Sequence, residues 1–242
     1  MTVVHDPALA RIQFYLTTEY PCGYLDKRFA RSLVAAPAHL IDRHNYSELV
    51  NLGFRRSGLY TYRPHCESCQ ACVPVRLRIV DAASSRSQRR AWNRHQSLEA
   101  RILSLEFSDE HFQLYANYQK TRHPGGGMDN DDATQYRNFL MQSNVDSAMV
   151  EFREDGVLRM LSIVDKLSDG LSAVYAFYDS SVQGASYGVY NVLWLTEWCR
   201  ELDLPYLYLG YWIAESRKMA YKTDFKPMEG LVDGNWRLLQ QA

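Results

Sequence analysis

Two Asp-Gly dipeptides, Asp155-Gly156 and Asp169-Gly170, constrain the C-terminal half of this chain more than any other feature. They separate three apolar-rich runs at 147–153, 157–165 and 171–179. Asp-Gly is a strong hairpin signal, so the runs read as three consecutive antiparallel strands. Helical patterns flank this meander. Ser108 is placed to cap a helix that presents Phe112, Tyr115 and Tyr118 on one side, and a second helix lies near 133–142, after the Gly-rich loop 123–128. A third runs from about 187 to 202, followed by strands at 206–211 and near 229–238.

Upstream the signals are shorter. Residues 26–35 and 45–52 read as helices, the second opened by Asn45 with Glu48 three positions on and ended by Gly53. Val73, Val75, Leu77 and Ile79 alternate with Pro74, Arg76 and Arg78, a strand with one buried and one basic face. The polar, basic stretch 84–95 is the best boundary. It divides an N-terminal mixed α/β part (1–97) from a second domain (98–242), and the fold class is α+β. The second domain's order of two helices, antiparallel meander, helix and strand resembles the GNAT-like acyltransferase fold, with an antiparallel-rich sheet.

With 242 residues, 46% of them hydrophobic, the chain can fill one large domain or two sharing an interface. Its formal charge of −1 supplies no global field toward nucleic acid, so any RNA contact must come from a local basic patch. Residues 1–14 hold no apolar run of signal-peptide length, and no stretch approaches the roughly 18 apolar residues of a membrane span. A cytoplasmic location is expected, with neither membrane nor DNA as partner. There the five cysteines (Cys22, Cys66, Cys69, Cys72, Cys199) should be thiols or metal ligands rather than disulfides. The spacing Cys66-x-x-Cys69-x-x-Cys72, with Cys22 brought near by folding, suits four thiolates around zinc or an iron–sulfur cluster, or a buried turn of small residues.

Coenzyme A enzymes of GNAT-like fold place a [Gln/Arg]-x-x-Gly-x-[Gly/Ala] turn before a helix, where bare N–H groups bind the pyrophosphate. The corresponding stretch here is Gln183-Gly184-Ala185-Ser186-Tyr187-Gly188. Its glycines are misplaced and a tyrosine stands where the backbone should be bare. A different acyl donor is expected.

Four further stretches carry a resemblance. They are Pro21-Cys22-Gly23-Tyr24-Leu25, Gly53-Phe54-Arg55-Arg56-Ser57-Gly58, the run 62–72 that contains the cysteine triplet, and Leu209-Gly210-Tyr211-Trp212-Ile213 continuing through 218–227. Together they resemble the arginyl-tRNA–protein transferase family over about residues 12 to 236. The bacterial branch that moves leucine from leucyl-tRNA onto proteins beginning with Asp or Glu is the most similar. Leu25 and Ala71 stand where eukaryotic arginyl members carry cysteines, which favours that branch and argues against a metal. No cofactor is therefore expected. The resemblance also implies that leucylation marks the product for N-degron proteolysis. A coenzyme A N-acyltransferase and a metal-dependent RNA-binding module are the alternative readings.

The implied donor is an activated ester and the acceptor an α-amine, so neither a covalent nucleophile nor a metal is required. Selecting Asp or Glu requires a cation, and Arg55, Arg56, Lys218 and Lys222 are the candidates. As exposed cleft charges, Arg56 and Lys222 should be removable without loss of folding. Tyr187 and Tyr211 are placed to flank the cleft and hydrogen-bond the ester or the ribose, or else to pack as aromatics. The run Arg86, Arg89, Arg90 and Arg94, with no acidic residue among them, suits the phosphates of the tRNA acceptor stem. Cys199 is expected in the core.

Overall fold

A computed structural model of the chain describes residues 11–239, the side chains of Arg217 and Lys218 excepted. The N-terminal elements are β1 (Gln13–Leu16), β2 (Tyr20–Pro21), β3 (Phe29–Ala30), β4 (Ser32–Ala36), α1 (Arg43–Asn51), β5 (Arg55–Ser57) and β6 (Tyr60–Pro64). Strands β1, β4, β6 and β5 form an antiparallel sheet in that order. The helix expected at 26–35 is thus replaced by β3 and β4. Leu33 to Ala35 hydrogen-bond to β1 on one side and β6 on the other, a pairing across the sequence that local pattern does not reveal. Helix α1 begins earlier than Asn45, because Asp42 accepts the Asn45 N–H at 3.0 Å and caps it. It ends as expected at Gly53, whose φ of +86° only glycine adopts freely.

The remaining elements are β7 (Val73–Arg78), α2 (Arg86–Arg94), β8 (Glu99–Leu103), α3 (Asp109–Arg122), α4 (Ala133–Tyr136), β9 (Ser147–Glu154), β10 (Val157–Lys166), β11 (Gly170–Tyr178), α5 (Tyr187–Glu201), β12 (Tyr206–Trp212), β13 (Met228–Val232) and β14 (Asn235–Leu238). They build an eight-stranded sheet ordered β14-β13-β7-β12-β11-β10-β9-β8. The meander appears as read. Asp155 and Gly156 both have positive φ, 49° and 78°, as a tight hairpin turn demands. Gly170 has a different reason: a Cβ there would lie 2.4 Å from the Tyr206 carbonyl oxygen. The final segment is a hairpin rather than one strand, turned by Asp233-Gly234 at φ 51° and 73°. Strand β7, from the N-terminal side of residue 97, is paired between β13 and β12.

Both faces of the large sheet are covered. Tyr190, Leu195 and Trp198 of α5 pack with Val150, Met160, Val164 and Leu207 on one side. Tyr115, Tyr136 and Leu140 pack with Met149, Leu161, Ile163 and Phe177 on the other. A third cluster joins Tyr46 and Leu49 of α1 to Leu167, in the turn between β10 and β11, and to Tyr208 of β12.

The site depends on one irregularity. Strands β11 and β12 are parallel and paired only from Gly170–Ser172 to 206–208. Beyond that β12 bulges at Gly210, where φ is +70° and its register against β7 shifts. The two strands part there, and a gap opens in the sheet.

Candidate active site in the gap of the sheet

Successive side chains on a strand point to opposite faces, so Arg55 and Arg56 of β5 part company. Arg56 is buried and its donors are all used. Nε and Nη2 hold Asp165 at 2.8 and 2.6 Å, Nη1 reaches the carbonyls of Gly58 and Gln142, and Nη2 also donates to Ser147 Oγ. Asp165 is itself fully buried. The sequence assigns Arg56 to an acceptor's carboxylate; the geometry commits it to Asp165 and leaves no donor over. A lone aspartate after Ile163-Val164, inside an apolar strand, was the signal for such a partner.

Arg55 turns the other way, into the gap. Its Nη2 donates to the Val174 carbonyl of β11 at 3.3 Å, and its guanidinium lies 5.7 Å from the centre of the Tyr211 ring. Gly210 admits it: a Cβ there would stand 3.2 Å from Arg55 Nη1. Among the described residues no carboxylate pairs with it, and it is half-buried.

Lys222, from the 3-10 segment Arg217–Asp224, enters the same gap. It is buried, and Nζ donates to the carbonyls of Leu209 and Tyr211, on either side of Gly210, at 2.7 and 2.5 Å. Burial pushes its pKa down to about 7, and the charge of Arg55 acts in the same direction. Lys218 lies on the same segment, but its side chain is outside the described residues.

Tyr211 is beside this pair with its hydroxyl engaged, donating to the Gly53 carbonyl at 2.8 Å. Burial raises its pKa, so it stays a donor. Tyr187 lies elsewhere. It is buried with its ring stacked on His95 at 4.6 Å, and its charged neighbours are Arg159, Glu154, Asp179 and Arg94. The structure does not bring the two tyrosines to one cleft.

A cavity of about 640 Å³ adjoins Tyr211 on the N-terminal side. Tyr20, Tyr24, Tyr62 and all four of Cys22, Cys66, Cys69 and Cys72 line it, so folding does bring Cys22 to the triplet. Burial first, then the other three thiols, push the Cys72 thiol up to about 12. Among the described residues no three His, Cys, Asp or Glu side chains converge to hold a metal ion. Cys199 is buried in the main core, as expected.

The arginine run forms α2, begun by a reciprocal capping box between Ser85 and Gln88. Arg86, Arg89, Arg90 and Arg94 are all exposed. The end of α2 sits on the loop before α5. Arg94 Nη1 donates to the Gly184 carbonyl at 2.6 Å, and the His95 ring bonds the Ala185 carbonyl. The loop therefore points the Gly184 and Ala185 carbonyls, rather than bare N–H groups, at Arg94 and His95. His95 gave no sequence signal of this role.

Residues 20–90 match the N-terminal model, and residues 110–232 the C-terminal model, of the arginine-tRNA-protein transferases. The aspartate/glutamate leucyltransferase of Methylobacillus flagellatus is 60% identical over 98% of this chain and 96% of its own. That of Nitrosospira multiformis is 56% identical over 99% of this chain and 96% of its own. Among solved structures FemX is similar at a TM-score of 0.46 and 10% identity, over 87% of this chain and 82% of that one. Both family segments are matched in order, and relatives this similar align along nearly all of the chain, so the chain belongs to the arginine-tRNA-protein transferase family.

Proposed function

We propose that this chain transfers leucine from leucyl-tRNA to the α-amine of proteins that begin with Asp or Glu, marking them for N-degron proteolysis. The relatives' shared name, aspartate/glutamate leucyltransferase, supports the class of reaction. The observation that carries the reading is Arg55, a half-buried guanidinium in the gap of the sheet with no carboxylate partner among the described residues. An acidic first side chain supplies that partner. A charge-assisted, bidentate contact of this kind is about twice as strong as a neutral hydrogen bond.

The chemistry is acyl transfer. The amine attacks the ester carbonyl carbon, the C–N bond forms, and the ribose oxygen leaves. Holding the two groups in line supplies much of the acceleration. Exposed arginines of α2 bind the phosphates of the acceptor stem. Leucyl-tRNA and the acidic-starting protein are the two partners, and no helix among the described residues is long and apolar enough to cross a membrane. Coenzyme A is disfavoured as donor by the contacts of Arg94 and His95 with the loop before α5.

The test is transfer of labelled leucine from leucyl-tRNA to peptides that differ only in a first Asp or Asn. Arg55→Met should cost roughly 2–4 kcal/mol in transition-state stabilisation with the Asp peptide and far less with the Asn peptide. Equal losses on both would show that Arg55 does not sense the acceptor's charge. Transfer of arginine as readily as leucine would remove the donor assignment.

A further inference from the structure

The proposed reaction leaves one proton without an acceptor. An α-amine has a pKa of about 7.7–8.0, so most of it arrives as ammonium at neutral pH and has no lone pair to attack with. We propose that Lys222 is the general base: its Nζ, seated on the carbonyls of Leu209 and Tyr211 beside Arg55, takes a proton from the acceptor's ammonium. The assignment rests on the function above and completes its chemistry.

The two carbonyls at Nζ are sufficient partners for a neutral Lys222. A neutral amine has two N–H bonds and one lone pair. The Leu209 and Tyr211 carbonyls take two N–H bonds, at 2.7 and 2.5 Å, which leaves the lone pair pointing away from β12. A charged Nζ would bring a third N–H and a second positive charge next to Arg55, and no carboxylate among the described residues offsets either. Burial also disfavours the charge and pushes the pKa down to about 7. The groups whose charge bears on the site are Arg55 from β5 and the phenols of Tyr24, Tyr46, Tyr62 and Tyr211 around it. Burial raises the pKa of the Tyr24, Tyr46 and Tyr211 phenols, so Arg55 is the charge that matters there. A base with a pKa close to the operating pH is the efficient choice.

The step balances as follows. One N–H bond of the acceptor ammonium breaks and one forms on Nζ. The freed amine attacks the ester carbon, and its second proton leaves to water as the tetrahedral centre collapses. The ribose oxygen departs with the proton that Lys222 holds, and the base is neutral again. One amide, one ribose hydroxyl and one released proton result.

The experiment measures kcat on Asp- and Asn-starting peptides, at saturating leucyl-tRNA and peptide, from pH 5.5 to 9. Wild-type kcat should fall tenfold per unit below a break near pH 7. Lys222→Met should lower kcat by about 10²–10⁴-fold on both peptides alike, with the acceptor KM little changed and the break moved up to the acceptor amine's own, at about pH 7.7–8.0. Lys222→Arg, which keeps the charge and cannot give it up, should be equally poor. Added methylamine should partly restore Lys222→Ala. A wild-type profile flat from pH 6 to 8 would overturn the assignment, and that result needs no variant to fold. So would an active Lys222→Arg, which would make Lys222 a fixed charge. Wild-type protein that moves no leucine at any pH would remove the function itself, and this inference with it.

Discussion

Arg55 and Arg56 are neighbours in sequence, yet the pleat of β5 sends one to the gap and the other to Asp165. Removing one partner of a buried pair strands a charge in the interior, so Arg56→Ala should cost about 3–5 kcal/mol of stability in urea unfolding. Replacing both with apolar residues, Arg56→Met with Asp165→Leu, should recover most of that loss. A fully stable Arg56→Ala would show that the pair contributes nothing. This reverses the expectation that Arg56 is a removable surface charge, and burial is the reason. Lys222 makes a stability claim of its own. Its folded pKa lies below the ordinary lysine value, so between pH 7 and 10.5 the unfolded chain binds more protons than the folded one. Stability should therefore rise with pH across that window, with a contribution approaching 1.4 kcal/mol per unit. Below pH 7 the full penalty of the buried charge applies. Lys222→Met should lose the slope and be the more stable protein at pH 6. If both proteins had the same pH dependence, Lys222 would not be perturbed.

At the scale of elements, α2 makes two kinds of contact. Its apolar side docks on α5 through Trp92 and His95, whose rings lie 5.4 and 5.2 Å from Tyr190. Its other side shows arginines to solvent. Replacing Arg89 and Arg90 with Ala should raise the KM for leucyl-tRNA and flatten its dependence on log salt by about one unit per lost phosphate contact, while the peptide's KM holds. An unchanged salt slope would make them ordinary surface. The same element shows what a sequence conveys. Asp-Gly turns are local, so the meander and its Asp155-Gly156 hairpin were legible; the Ser85–Gln88 capping box that opens α2 is equally local, but the stretch 84–95 reads in sequence only as a polar, basic boundary. The short strands β3 and β4 were not, because β3 pairs with residues 20–21 and β4 with residues 13–16 and 61–64. Asp233-Gly234 carried the same signal as the other dipeptides and turns the terminal hairpin. In the site, Gly210 within an apolar strand was readable as a bulge. That Lys222 would sit on the carbonyls beside it was not, because nothing local sets the path of the 3-10 segment.

For the whole molecule the question is whether the halves divided at residue 97 are separable. The gap takes Arg55 from the first half and Lys222, Gly210 and Val174 from the second. Strand β7 is the stronger tie. It hydrogen-bonds to β12 on one edge and β13 on the other, and it buries Val75 and Leu77 in the core that α5 covers. Arg76 of β7 holds the buried Glu229 at 2.8 Å and lies between the rings of Tyr206 and Trp236, 3.5 and 4.3 Å from their centres. A fragment of residues 98–242 would lose this strand. It would expose the edges of β12 and β13, templates for aggregation, and would leave Glu229 without its partner. We expect that fragment to be insoluble, or to lack the cooperative urea transition of the full chain when followed by near-ultraviolet circular dichroism. A fragment of residues 66–242 restores β7 and should recover a cooperative transition, but it lacks Arg55 and should not favour an acidic acceptor. If residues 98–242 instead unfolded in one sharp transition at the full chain's midpoint, β7 would be dispensable and the boundary at 97 would divide two independent domains.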